Sequence, residues 1–289
     1  MKKRYYSFAG LNLQVELPDD TEFTEGRYLQ PFRGENGTQT NCVCFSLADE
    51  LDPPNGEMIY SDSNVLAYSD RLSTVRYYLN ADHTWENAFS RVESNGNHHR
   101  VQLKTGTFAR RINGNVILNS LGIEHLIASC GGFAFHCSYI EYHGKAILFT
   151  APSQTGKSTQ ADLWHDLRGA QIINGDRAAV RLVNGELLVC GIPFAGSSQY
   201  CENRSLPISA IVYLGQAPET TIRRVRGYEA FAKIWEGVSV NPWDKADMEI
   251  VSAVVEAAAG KLPVFHLRCT PDESAVIALE DALRKLEFV

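Results

Sequence analysis

Apolar and polar residues alternate along Leu11-Asn12-Leu13-Gln14-Val15-Glu16-Leu17, the period of a half-buried β-strand, and Pro18-Asp19-Asp20 ends it. Residues 40–47 read as a strand between the turn clusters Arg33-Gly34-Glu35-Asn36-Gly37 and Asp52-Pro53-Pro54-Asn55-Gly56. Segments 58–60, 65–68, 75–79 and 101–103 extend this texture, and Asn113-Gly114 signals a tight turn. Within 116–133 the period changes. Leu118, Leu121, Ile123, Leu126 and Ile127 recur at helical spacing over 118–128, closed by Gly131-Gly132. The pattern predicts a β-rich N-terminal domain over 1–125 and a second domain over 126–289.

In the second domain, segments 133–142 and 145–150 read as strands joined at His143-Gly144. A helix over 158–167 is stopped by Gly169, and 171–174 is a short buried strand. A hairpin of 178–183 and 186–190 turns at Asn184-Gly185, and 208–214 is a further apolar strand. Arg223-Arg224-Val225-Arg226 reads as a solvated edge strand, and Tyr228, Phe231, Ile234 and Trp235 as core at helical spacing. Asn241-Pro242-Trp243-Asp244 and Thr270-Pro271-Asp272-Glu273 predict helix starts, each with a capping side chain before a first-turn proline. Val276, Leu279, Leu283 and Leu286 make the last helix amphipathic.

Composition narrows the class. Hydrophobic residues make up 44% of the chain and charged residues 21%, which excludes global disorder. The balance of 27 Lys+Arg against 34 Asp+Glu, a net charge of −7, argues against nucleic acid as a partner. No apolar run approaches about 18 residues, so no membrane is expected as a partner either. The basic start Met1-Lys2-Lys3-Arg4 is followed by no apolar signal core. Seven cysteines without C-x-x-C or zinc-like spacing fit reduced thiols in a cytoplasmic protein. Cys42 and Cys44 point to one strand face, where a packing role is expected, and His98-His99 reads as a solvated turn.

The chemistry concentrates in one segment. Ile147-Leu148-Phe149-Thr150-Ala151-Pro152-Ser153-Gln154-Thr155-Gly156-Lys157-Ser158-Thr159 is strand, loop, Gly-Lys-Ser and helix, the context of a Walker A phosphate-binding loop. Successive backbone N–H groups and a helix N-terminus make a donor nest for dense negative charge. Gly156 permits the turn, Lys157 supplies a full positive charge, and the Ser158 hydroxyl suits magnesium. Ala151 stands where the first glycine of the pattern is usual. Downstream, the strand 171–174 leads to Asp176, a carboxylate at the carboxyl end of a strand, where ligands collect in α/β sheets. His136 lies in the otherwise apolar run Phe135-His136-Cys137-Ser138-Tyr139-Ile140, where composition alone favours a hydrogen-bonded core histidine.

That run, then His143-Gly144-Lys145-Ala146-Ile147-Leu148-Phe149 and the loop, resembles the HPr kinase C-terminal domain, whose fold is related to ATP-dependent phosphoenolpyruvate carboxykinase. The likeness spans roughly 130–215. It implies an α/β core of the α+β mixed-sheet type, built around a P-loop. It implies ATP or another nucleotide with Mg2+, cradled by Ser153, Gln154, Thr155, Gly156, Lys157, Ser158 and Thr159, with Ser158 and Asp176 holding the metal. The family ends its second strand with two adjacent carboxylates, one of them the general base. Here the pair is Gly175-Asp176. The proton then falls to Asp176 or to His136, with Glu202 a third candidate. The signature that follows in true HPr kinases is replaced by Gly191-Ile192-Pro193-Phe194-Ala195-Gly196-Ser197-Ser198-Gln199-Tyr200, with Asn203 and Arg204 beyond it. This stretch reads either as the acceptor side of a cleft or as a surface loop.

The expectation is therefore a kinase acting on a serine-like hydroxyl of a small molecule or peptide other than HPr. The alternative is a nucleotide-binding regulator or scaffold without turnover. A carboxykinase fits less well, because the additional metal and carboxylate ligands it requires have no counterpart. Assembling relatives add the expectation of a homo-oligomer.

Overall fold

The computed structural model describes residues 1–37, 41–79, 84–108, 111–196 and 198–286, in two compact units, Met1–Ile123 and Glu124–Val289.

The first unit is built on an eight-stranded sheet. In chain order it holds β1 (Lys2–Phe8), β2 (Leu11–Leu17), β3 (Glu22–Thr24), α1 (Gly26–Leu29), β4 (Asn41–Ala48), β5 (Glu57–Ser61), β6 (Val65–Ser69), β7 (Thr74–Tyr78), β8 (Ser90–Asn95), β9 (His98–Lys104), α2 (Thr105–Phe108), β10 (Arg111–Asn113) and α3 (Gly114–Leu121). The main sheet runs β1-β2-β4-β9-β8-β7-β6-β5. Alternation buries Leu11, Leu13, Val15 and Leu17 of β2 with Val43 and Phe45 of β4 and Val101 and Leu103 of β9. Ile117, Leu118 and Leu121 of α3 are buried as well. Residue 40, the expected start of the second strand, lies outside the described residues.

Several expectations in this unit are corrected. Asn113 caps α3, its side chain accepting from Val116 N–H at 3.0 Å, so Asn113-Gly114 opens a helix and makes no hairpin. The helix expected over 118–128 is two, α3 and α4 (Ile123–Ser129), divided at Gly122 with φ +61°. His98-His99 is the start of β9. His99 is buried, its ring nitrogens 2.9 Å from Ser94 Oγ and 3.1 Å from Asn41 Oδ1, because polar partners on two flanking strands make burial affordable. Cys42 and Cys44 lie half-buried on the face opposite Val43 and Phe45, beside Glu16 and not in the apolar core.

The second unit continues with β11 (Gly132–Tyr142), β12 (Lys145–Thr150), α5 (Lys157–Arg168), β13 (Gln171–Asn174), β14 (Arg177–Val183), β15 (Glu186–Gly191), β16 (Ser205–Gln216), β17 (Thr221–Val225), α6 (Gly227–Trp235), β18 (Val238–Ser239), α7 (Lys245–Lys261), β19 (Val264–Cys269) and α8 (Glu273–Arg284). This is a mixed α/β sheet of nine strands, ordered β12-β11-β14-β15-β16-β19-β17, with β13 and β18 against β11. β12 also pairs in parallel with β16, so the path β11-β12-β16-β15-β14 closes on itself. One core gathers Trp164, Ile147, Phe149, Val212, Leu267, Val276, Leu279 and Leu283, and a second gathers Phe133, Phe135, Leu148, Val180, Ile211, Ile234 and Val255. Neighbours Ile147 and Leu148 fall in different cores, as strand alternation requires.

Helix starts differ in detail. α7 is capped by Asp244, which accepts from Asp247 N–H at 3.1 Å, while the buried Asn241 bonds the Asp247 carboxylate at 3.4 Å. α8 is capped by Asp272, leaving Pro271 ahead of the helix. Each shift places a carboxylate at the positive helix end. Tyr228, expected in the core, sits in the first turn of α6 and is 86% exposed, while Phe231 and Trp235 stack at 5.5 Å. Among the described residues no disulfide joins any of the seven cysteines, and no helix is long and apolar enough to cross a membrane.

Candidate functional site

Register explains why distant residues meet. β12 and β13 both run antiparallel to β11, on its two sides. β12 ends with Thr150 opposite Cys137, and β13 ends with Asn174 opposite Tyr139. The residues that follow each strand therefore emerge at the same end, where β11 carries His136. Two bonds fasten the junction: Thr150 Oγ1 donates to the His136 carbonyl at 3.0 Å, and Cys137 N–H to the Asp176 carbonyl at 3.0 Å.

The loop from β12 to α5 needs two left-handed residues, Gln154 at φ +65° and Gly156 at φ +115°. The first hydrogen bond of α5 runs from Gln160 N–H to the Gly156 carbonyl at 3.0 Å. The N–H groups of Lys157, Ser158 and Thr159 thus have no acceptor within the helix. Lys157 is buried, and its Nζ donates to the carbonyls of Ala151 at 3.0 Å and Pro152 at 3.4 Å. Burial lowers its pKa, and the charge of Asp176 opposes that shift. Ser153, Gln154, Ser158 and Thr159 are exposed, and Thr155 is half-buried.

Asp176 is fixed by an Asx turn: Asn174 Oδ1 accepts from the N–H groups of Asp176 at 3.2 Å and Arg177 at 3.1 Å, while Asn174 Nδ2 donates to the Ile192 carbonyl at 2.7 Å. The Asp176 carboxylate lies 3.5 Å from His136 Nε2 and 3.8 Å from Arg177 Nε. The hydrogen bond with His136 holds the Asp176 carboxyl below the usual range against partial burial, and the charges of Arg177 and Lys157 act in the same direction. His136 is half-exposed in the middle of β11, so the core role its composition favours is not the one it has. Arg177 also lies 5.7 Å over the Phe194 ring.

The segment after β15 closes on this carboxylate. Gly196, at φ +55°, approaches so near that a Cβ would lie 2.7 Å from Asp176 Cβ. A Cβ on Gly175 would overlap the Ser198 side chain, whose hydroxyl donates to the Ala195 carbonyl at 2.7 Å. Ser197 lies outside the described residues. Glu202 and Arg204 are drawn elsewhere. Glu202 accepts from Gln171 Nε2 at 3.1 Å, and Arg204 donates to Gln171 Oε1 at 2.8 Å and pairs with Glu141. Gln171 starts β13, whereas Asp176 follows its end, so Glu202 does not join His136 and Asp176.

Beside the loop opens a cleft of about 530 Å³, lined by Gln154, Thr155, Thr159, Gln160, Cys269 and Pro271 among others. Gln160 carries a buried Oε1 without a hydrogen-bond partner among the described residues. Its volume falls within the range of ligand pockets, about 300–1,000 Å³. Sequence reasoning passed over Arg177, whereas Phe194 and Ser198 belong to the 191–200 stretch read there as the acceptor side of a cleft or a surface loop. The position of Arg177 next to Asp176, the expected metal ligand, is the signal that could have found it.

No family of known proteins matches the sequence, and no curated protein does. Among solved structures, the HPr(Ser) kinase/phosphatase from Coxiella burnetii is similar at a TM-score of 0.34 and 12% identity, over 53% of this chain and 92% of that one. A likeness of that size is distant, and the chemistry rests on this chain's own residues.

Proposed function

We propose that the chain is a nucleotide-dependent kinase that phosphorylates a serine-like hydroxyl of a small molecule or peptide. The supporting observation is the convergence, at one end of the sheet, of a lysine-bearing loop with open helix N–H groups and an ionised Asp176 paired with His136. The loop and first-turn N–H groups of Lys157, Ser158 and Thr159 fit a phosphate chain, and the Lys157 ammonium adds charge for the group in transfer. The exposed Ser158 hydroxyl and the Asp176 carboxylate are an all-oxygen pair of the kind magnesium takes, and they would hold it. That ion would supply charge neutralisation to the phosphates.

In the transfer, the bond from the terminal phosphorus to the nucleotide's bridging oxygen breaks, and a bond to the acceptor oxygen forms. The nucleoside diphosphate leaves with the electron pair. The acceptor's proton goes to His136, which Asp176 orients. A carboxylate held below its usual range is a weak base, so Asp176 serves better as ligand and anchor. The test is incubation with labelled nucleotide, magnesium and a panel of serine-containing small molecules and peptides. Labelled product that disappears in Lys157→Ala supports the reading.

One observation favours a second reading, a nucleotide-binding regulator without turnover: Ser198 fills the space a side chain at position 175 would need, so the second carboxylate has no room. Tight nucleotide binding without product across that panel would select it.

A further inference from the structure

A different cluster of ligand-type side chains lies on the outer face of the N-terminal unit's sheet. β2 and β4 run parallel, with Gln14 opposite Cys42 and Glu16 opposite Cys44. One carboxylate oxygen of Glu16 and both Sγ atoms lie within 4.8 Å of one another. Zinc bonds sulfur at about 2.3 Å and carboxylate oxygen at about 2.0–2.2 Å, so tetrahedral ligands around it stand roughly 3.5–4 Å apart. Small side-chain rotations close the difference.

The carboxylate is already oriented. Gln14 Nε2 donates to Glu16 Oε1 at 2.6 Å and Lys3 Nζ pairs with the same oxygen at 3.1 Å, while Oε2 receives the Cys44 thiol at 3.4 Å. One oxygen is anchored and the other faces the thiols, as in carboxylate ligands braced from outside the coordination sphere. Two strand rises separate the cysteines' Cα atoms by about 6.6 Å, the upper end of what a disulfide spans, which disfavours oxidation to a pair. His98, exposed, is the residue in register with Cys42 on the neighbouring strand β9.

We propose that Glu16, Cys42 and Cys44 form a zinc site. On binding, both thiols release their protons to solvent and the ion takes two thiolates and Glu16 Oε2. Lys3 remains on Oε1 and offsets the surplus negative charge. Two sulfur ligands select zinc over magnesium and calcium, which take oxygen sets.

The experiment titrates the reduced, metal-free full chain with zinc, and in parallel with cadmium to read sulfur-to-metal charge-transfer absorption. One equivalent should bind, protect two thiols from a thiol reagent and raise the absorption band. All three should vanish in a Cys42→Ala/Cys44→Ala double variant. Should that variant fail to fold, Glu16→Gln keeps both thiols, and Gln14→Ala keeps all three ligands. Each should weaken zinc binding by about tenfold or more at unchanged thermal midpoint. Absence of a bound equivalent in the wild type, or protection and affinity that these substitutions leave unchanged, overturns the site.

Discussion

Ser198 packs directly on Gly175, with its hydroxyl bonded to the Ala195 carbonyl at 2.7 Å. The segment after β15 can lie against Asp176 only because position 175 has no side chain. Gly175→Asp should therefore destabilise the fold by about 1–3 kcal/mol through overpacking. Combining it with Ser198→Gly should recover most of the loss, a non-additivity expected of residues in contact. Urea midpoints of the two single variants and the double variant measure this, and strict additivity would contradict the contact.

Asp176 makes acid stability a probe of the same site. Its folded pKa lies below the unfolded value of about 4. A group of this kind stabilises the fold above the unfolded pKa, and the contribution is lost as pH falls through the folded one. Wild type should gain stability relative to Asp176→Asn as pH rises from about 3 to about 6. Denaturation curves across that window check it, and a difference independent of pH would count against the His136–Asp176 pairing.

Much of the second unit was legible because its signals are local. The β12-loop-α5 run, the Asn184-Gly185 hairpin and the Gly169 stop are each written in consecutive residues, and the structure has all three. Contacts made by register were not legible from local pattern alone. From composition His136 reads as a core histidine; the family resemblance set it in one site with Asp176, and the antiparallel placement of β12 and β13 about β11 supplies the geometry that makes them neighbours. Caps slipped for a related reason. Asn241 and Thr270 precede prolines as capping residues do, but an acidic residue closer to each helix captures the free N–H groups.

That slip is testable at α7. Asp244→Ala should cost about 1 kcal/mol by leaving the Asp247 N–H uncapped. Chemical denaturation that finds no loss would place the cap elsewhere.

In the first unit, His99 shows how a polar pair can hide in a strand. Its ring bonds Ser94 and Asn41 inside the sheet. His99→Leu should cost about 1–3 kcal/mol, because it removes two hydrogen bonds of a buried ring, one of them to the buried Asn41. A variant as stable as wild type would contradict the bonded, buried ring.

The central claim is that the 151–158 loop binds the phosphates of a nucleotide with backbone N–H groups and the Lys157 ammonium. Isothermal titration of wild type and Lys157→Ala with ATP and with pyrophosphate, each with magnesium, tests it most directly. The account predicts binding of both by wild type and a loss of about 10- to 100-fold in the variant, whose circular dichroism is unchanged. No heat from either compound, or equal affinity in the two proteins, would contradict it.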